Sequence, residues 1–168
     1  MNAICQTAQV LHEDHRANLE LLAQVERQLG RHGAPALRKA ATPGSELTQL
    51  VARLAHQLRQ DVERHFVFEE GELFTRLREA GDGGIAGLLS SEHDAIRDLA
   101  GELLPLTTAV GTGALDDAGW ATLAQGAMEL VERQVSHIQK EEMALLPMLA
   151  DLLDADTDSQ LAMAYGSA

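Results

Sequence analysis

The chain has 168 residues, and 26 acidic against 13 basic side chains give it a formal charge of −13. A surface this acidic repels nucleic-acid phosphates and anionic membranes, so neither is an expected partner. The length suits one domain with one core. A composition 45% hydrophobic but only 3% aromatic, rich in Leu and Ala, favours an all-α fold over sheet. With Cys5 as the lone cysteine, no intrachain disulfide and no cysteine-built zinc or iron–sulfur site can form. No secretory leader and no apolar run of about 18 residues is evident, so a soluble cytoplasmic protein is expected.

Four segments carry helical periodicity. The first spans about 3–30, where Leu11, Leu19, Leu22, Val25 and Leu29 recur at three- and four-residue steps until Gly30, Gly33 and Pro35 break the pattern. Residues 31–45 read as a loop that ends at Ser45, a suitable N-cap. The second segment, about 46–80, has a stripe of Leu47, Val51, Leu54, Leu58, Val62, Leu73 and Leu77, and the glycines of 81–84 stop it. The third, about 85–110, carries Leu88, Leu89, Ile96, Leu99, Leu103 and Leu104, with Gly101 and Pro105 weakening its far end. Asp116 or Asp117 can cap the fourth, which runs to about Asp154, bends near Pro147 and starts with Trp120 packed inward. Met128, Met143 and Met148 are expected in the core. These segments predict an antiparallel up-down-up-down four-helix bundle over residues 1–156, followed by a flexible C-terminal tail, 157–168.

The two halves of the chain resemble each other. Glu13-Asp14-His15 in the first helix is echoed by Ser91-Glu92-His93 in the third. His65-x-x-x-Glu69-Glu70 in the second is echoed by His137-x-x-x-Glu141-Glu142 in the fourth. Each hairpin thus offers one His from its first helix and a His and a Glu, four residues apart, from its second.

Residues i and i+4 share a helix face, so His65 points with Glu69 and His137 with Glu141. At about 1.5 Å rise per residue, the offsets in height between neighbouring helices are roughly 5–6 Å, small enough for tilt to absorb. His15, His65, Glu69, His93, His137 and Glu141 therefore fall in one layer of the interior. A lone inward His is most often a satisfied core residue, but four of them with two carboxylates, level and repeated, are not. Two buried carboxylates would repel each other, and a pair of divalent metal ions removes that penalty. Imidazole and carboxylate together admit Fe, Mn or Zn.

The order His, His-x-x-x-Glu, His, His-x-x-x-Glu, with the run Glu141-Glu142-x-x-Leu145-Leu146-Pro147, resembles the hemerythrin-like (HHE cation-binding) family. The resemblance covers about residues 11–149. It implies two Fe ions bridged by an oxo or hydroxo group and two carboxylates, with His15, His65, Glu69, His93, His137 and Glu141 as ligands. It further implies that O2, NO or peroxide is bound, sensed or acted upon at the centre. Iron storage or donation, and an NO- or peroxide-directed oxidoreductase, are the alternatives. A redox or signalling partner protein would be needed for a sensing role.

The chain departs from the oxygen-carrying members of that family. Leu89 and Arg97 stand one turn to either side of His93, where those members have a second His. Their last carboxylate lies five residues after its His, the place of Glu142 here; symmetry with Glu69 favours Glu141 as the bridge. His12 is a candidate extra ligand, His32 and His56 read as surface, and Tyr165, in the tail, is set aside.

Overall fold

The computed structural model describes residues 5–167. Six helices account for nearly all of it, and no strand occurs among the described residues. They are α1 (Gln6–Leu29), α2 (Ala34–Ala40), α3 (residues 46–79), α4 (Gly83–Gly111), α5 (residues 117–152) and α6 (Ala155–Ser167). The long helices α1, α3, α4 and α5 form the bundle, α1 and α4 each lying against both α3 and α5. The expected start of the first helix near Ala3 lies outside the described residues.

Each long helix turns a single stripe inward. In α1 it is Thr7, Leu11, His15, Asn18, Leu22, Val25 and Leu29, a mixture of four- and three-residue steps. The second half of α3 and the end of α5 follow a different rule. Asp61, His65, Glu69, Leu73 and Leu77 are all buried and all four apart, as are His137, Glu141, Leu145 and Leu149. At 3.6 residues per turn, a four-residue step drifts about 40° around an α-helix. Wider π-turns at Asp61–His65, Glu69–Leu73 and Glu141–Leu145 take up that drift and keep each series on one face. A 3-10 turn at Leu146–Met148 then carries Pro147.

The turns are set by local chemistry. Ser45 caps α3 by accepting from the Thr48 N–H (3.3 Å), and Asp116 caps α5 by accepting from that of Gly119 (2.8 Å). Gly81 (φ 97°) and Gly113 (φ 70°) end α3 and α4 in left-handed backbone. There the Asp82 N–H reaches the Leu77 carbonyl (2.8 Å) and the Ala114 N–H that of Ala109 (2.9 Å).

Several expectations need correction. Residues 31–45 are not all loop: α2 forms there, with Pro35 in its first turn and Leu37 buried against the bundle. α4 runs through Gly101 and Pro105 to Gly111, close to the expected end near residue 110. Leu88 (49% exposed) and Met143 (81%) face solvent, because the inward positions beside them belong to Leu89 and to Glu141 and Leu145.

The largest correction is the C-terminus, since residues 155–167 are helix rather than flexible tail. Asp154 caps α6 by accepting from the Thr157 N–H (2.8 Å), and Leu161, Ala162 and Tyr165 form its buried face. The Asp158 carboxylate accepts from the Gln6 and Thr7 N–H groups (2.8 Å each) and so caps α1 from a different helix. Asp158→Ala is expected to destabilise the protein by about 1–2 kcal/mol in urea unfolding, with α6 amides losing hydrogen-exchange protection first. Unchanged stability would show that α6 is held without this cap.

Candidate metal centre

The four bundle helices deliver their polar inward residues to one layer. It lies between two apolar clusters, one including Leu29, Leu54, Leu103 and Leu123, the other Leu11, Leu73, Leu89 and Leu149. His15 comes from α1, His65 and Glu69 from α3, His93 from α4, and His137 and Glu141 from α5. All six expected residues meet there. His65 is 8% exposed and the others 2% or less, so water does not solvate them.

The carboxylates lie between the rings. Glu69 turns Oε1 to His65 Nε2 (3.2 Å) and Oε2 to His93 Nε2 (3.3 Å). Glu141 turns Oε2 to His15 Nε2 (3.1 Å) and Oε1 to His137 Nε2 (3.0 Å). His93 Nε2 and His137 Nε2 are 3.0 Å apart. The result is two four-residue groups, His15–His65–Glu69–Glu141 and Glu69–His93–His137–Glu141, with both carboxylates in common. Within each group the ligand atoms lie within 4.8 Å of one another.

This donor set fits metal ions on an observation independent of the motif. All four oxygens of Glu69 and Glu141, and Nε2 of His15, are buried without a hydrogen-bond partner. Such orphans each cost free energy, and a cation between them satisfies all of them together.

The outer ring nitrogens determine which nitrogen faces the centre. His15 Nδ1–H donates to Glu142 (2.7 Å), His93 Nδ1–H to Glu70 (2.8 Å) and His137 Nδ1–H to Glu92 (2.9 Å). His65 Nδ1–H donates to the Tyr165 hydroxyl (2.7 Å), which in turn donates to Asp14. A proton held on Nδ1 leaves the Nε2 lone pair aimed at the layer, the arrangement of metal-binding histidines. The acids are held in turn. Arg97 grips Glu70 through two bonds (2.8 and 2.9 Å), and Lys140 pairs with Glu92.

These outer partners follow the chain's duplication. Asp14 and Glu92 immediately precede His15 and His93, and Glu70 and Glu142 immediately follow Glu69 and Glu141. Glu142 faces outward onto His15 and His12 rather than into the layer. His12, half exposed, pairs with Glu142 and points away from the centre, and His32 and His56 are on the surface. Tyr165 was missed as a site residue, because nothing in a short polar terminus signals where it will dock. Its helix brings it, 4% exposed, behind His65, and Arg64 lies over its ring at 4.7 Å.

Electrostatics couple the layer to pH. Burial opposes charge on His93, but Glu141 and Glu69 outweigh it and push its pKa up to about 9. The same contest raises His15 and His65. Burial would raise Glu141, but His137, His15 and His93 hold it well below the usual carboxylate range. For His93, a folded pKa above the unfolded value means that its stabilisation is complete below about 6.5 and lost as pH rises through about 9. The chelator-stripped protein should therefore lose on the order of 3 kcal/mol across that window, measured by urea unfolding at several pH values. Stability that rises over the window would contradict this.

Tyr165→Phe leaves the His65 Nδ1–H without its acceptor and is expected to weaken divalent-cation binding at least about tenfold. Competition with a chromophoric chelator measures this, and an unchanged affinity would show that the phenol does not orient His65.

Among the described residues, no helix is long and apolar enough to cross a membrane. Comparison with curated proteins finds no match. Comparison with protein families matches residues 6–149 to the Hemerythrin HHE cation binding domain. That span contains the whole histidine and carboxylate layer and stops before α6. The chain belongs to the hemerythrin HHE cation-binding domain family, and its fold is that of a metal-binding, non-haem helical bundle.

Proposed function

We propose that the layer holds two iron ions and that the protein binds, senses or reacts with O2, NO or peroxide there. The observation that carries the reading is the pair of four-residue groups sharing two carboxylates whose oxygens have no other partner. Two imidazoles and one oxygen from each of two carboxylates give each ion four protein donors. An iron ion takes more than four, so each keeps room for a small ligand. Bound iron would supply electrons and Lewis acidity.

The chain's own residues do the rest. The Nδ1 hydrogen bonds hold the four rings rigid, so little reorganisation is needed when a ligand arrives. Leu11, Leu73, Leu89 and Leu145, all 1% exposed or less, exclude bulk water from one side of the layer. Phe66, stacked on His93 at 3.8 Å between ring centroids, covers the other. Ready release, which iron storage or donation would need, sits poorly with ligands this buried and this firmly oriented. Turnover of peroxide or NO is favoured by one feature, a small polar cavity of about 10 Å³ lined by His15, His65 and Glu141 together with exposed Asp14.

The test is to load the protein anaerobically with ferrous iron and then add O2, NO or peroxide under stopped-flow absorption. At least one should produce a visible-range change, complete at about one equivalent per pair of irons, that denatured protein does not show. No response to any of the three would overturn the reading.

A further inference from the structure

The duplicated frame makes one departure from symmetry conspicuous. Asp61, four residues before His65, is 4% exposed. Its Oδ1 accepts from Gln57 (2.8 Å), and its Oδ2 from Asn18 (3.2 Å) and Gln134 (2.9 Å). The positions related by the repeat carry no such group. Arg133 stands four before His137, and Ile96 stands three after His93 where Asn18 stands three after His15. Arg133 is exposed and Ile96 belongs to the apolar core.

A buried carboxyl costs free energy that an apolar residue would not, and three amide donors are spent on holding it. The first π-turn begins at Asp61 and keeps it on the same face as His65 and Glu69. This network lines a cavity of about 10 Å³, about the space of one water molecule. On the inner side the cavity is bounded by His15, His65, His137 and Glu141, and on the outer side by half-buried Gln57 and exposed Asp14. The centre thus has a polar port beside its His15–His65 half, shared between α1, α3 and α5.

We propose that Asp61 is the proton donor and acceptor for a small anionic or oxygen-donor ligand received at this port. The inference rests on the metal reading above. In its neutral form Asp61 breaks its O–H bond and gives the proton to the ligand. The carboxylate left behind is held by Asn18, Gln57 and Gln134, and is reprotonated from solvent past Gln57. Burial raises the Asp61 pKa, against the charge of His65 and the three amide bonds. The other ionisable groups facing the cavity are Asp14 and His15 from α1, His65 from α3, and His137 and Glu141 from α5. Only Asp61 is both buried and outside the set of expected ligands.

The test uses azide as the probe ligand on iron-loaded protein, with affinity read from its charge-transfer absorption as a function of pH. Above the Asp61 midpoint, wild-type affinity should fall tenfold per pH unit, and Asp61→Asn should abolish that slope. An equal slope in both proteins, or none in the wild type, would overturn the proposal. A second measurement needs no variant. The infrared difference spectrum of wild-type protein on adding azide should show a protonated-carboxyl band changing. Asp61 would be its source, since Glu69 and Glu141 are ligands and Asp158 is held ionised by the α1 N–H groups. A flat carboxyl region would count against the proposal. An iron-loaded wild type that forms no azide complex would overturn this inference alone, whereas a chain that takes up no iron would overturn the metal reading and the inference with it.

Discussion

Two carboxylates buried without partners, Glu69 and Glu141, are the constraint around which this bundle is arranged. Leaving an ionised carboxylate in an apolar interior costs several kcal/mol, more than one buried leucine contributes. The chain accepts that cost twice, at one level, between two apolar clusters that supply the stability of the fold. Four imidazoles around the carboxylates lessen it, and their outward nitrogens are fixed so that lone pairs converge on the layer. The arrangement is consistent only if positive charge occupies the centre, whether as protons at low occupancy or as metal ions. Protons and metal ions therefore compete for the same atoms.

The duplicated hairpin explains why the centre is nearly symmetric, and the exceptions show where function has been added. Both halves place an acid before the first His and an acid after the Glu, and these hold the outer ring nitrogens. Symmetry breaks on the His65 side. There a phenol from α6 stands between the ring and its acid, and Asp61, Asn18 and Gln134 replace apolar packing with hydrogen bonds. The two halves of the layer are consequently unequal: one is backed by charge-assisted pairs under Arg97 and Lys140, and the other is flanked by neutral amides and tied to the C-terminus. A helix beyond the family-matched residues 6–149 thus donates a hydrogen-bond partner to a histidine within them.

Much of this was legible in the sequence. The amphipathic stripes predicted four long helices, and the i,i+4 spacing with its repeat brought the six histidine and carboxylate residues to one layer. What escaped has physical reasons. The π-turns were written in the strict four-residue series 61-65-69-73-77, which an ordinary helix could not keep on one face, yet periodicity counting reads such a series simply as helix. α6 was lost because Leu161, Ala162 and Tyr165 make a short apolar face that has meaning only beside α1. Asp61 carried no signal in the sequence, since the amides that satisfy it come from α1 and α5 as well as from its own helix.

The central claim is that the layer is a two-ion site, and the metal content of the purified chain tests it most directly. Mass spectrometry on protein prepared without added metal, and again after anaerobic ferrous loading and desalting, should approach two irons per chain. Replacing both bridging acids, as Glu69→Gln with Glu141→Gln, should bring the value to near zero in a protein that still melts cooperatively. A wild-type chain that retains no metal after loading, or one whose metal survives the loss of both carboxylates, would contradict the account.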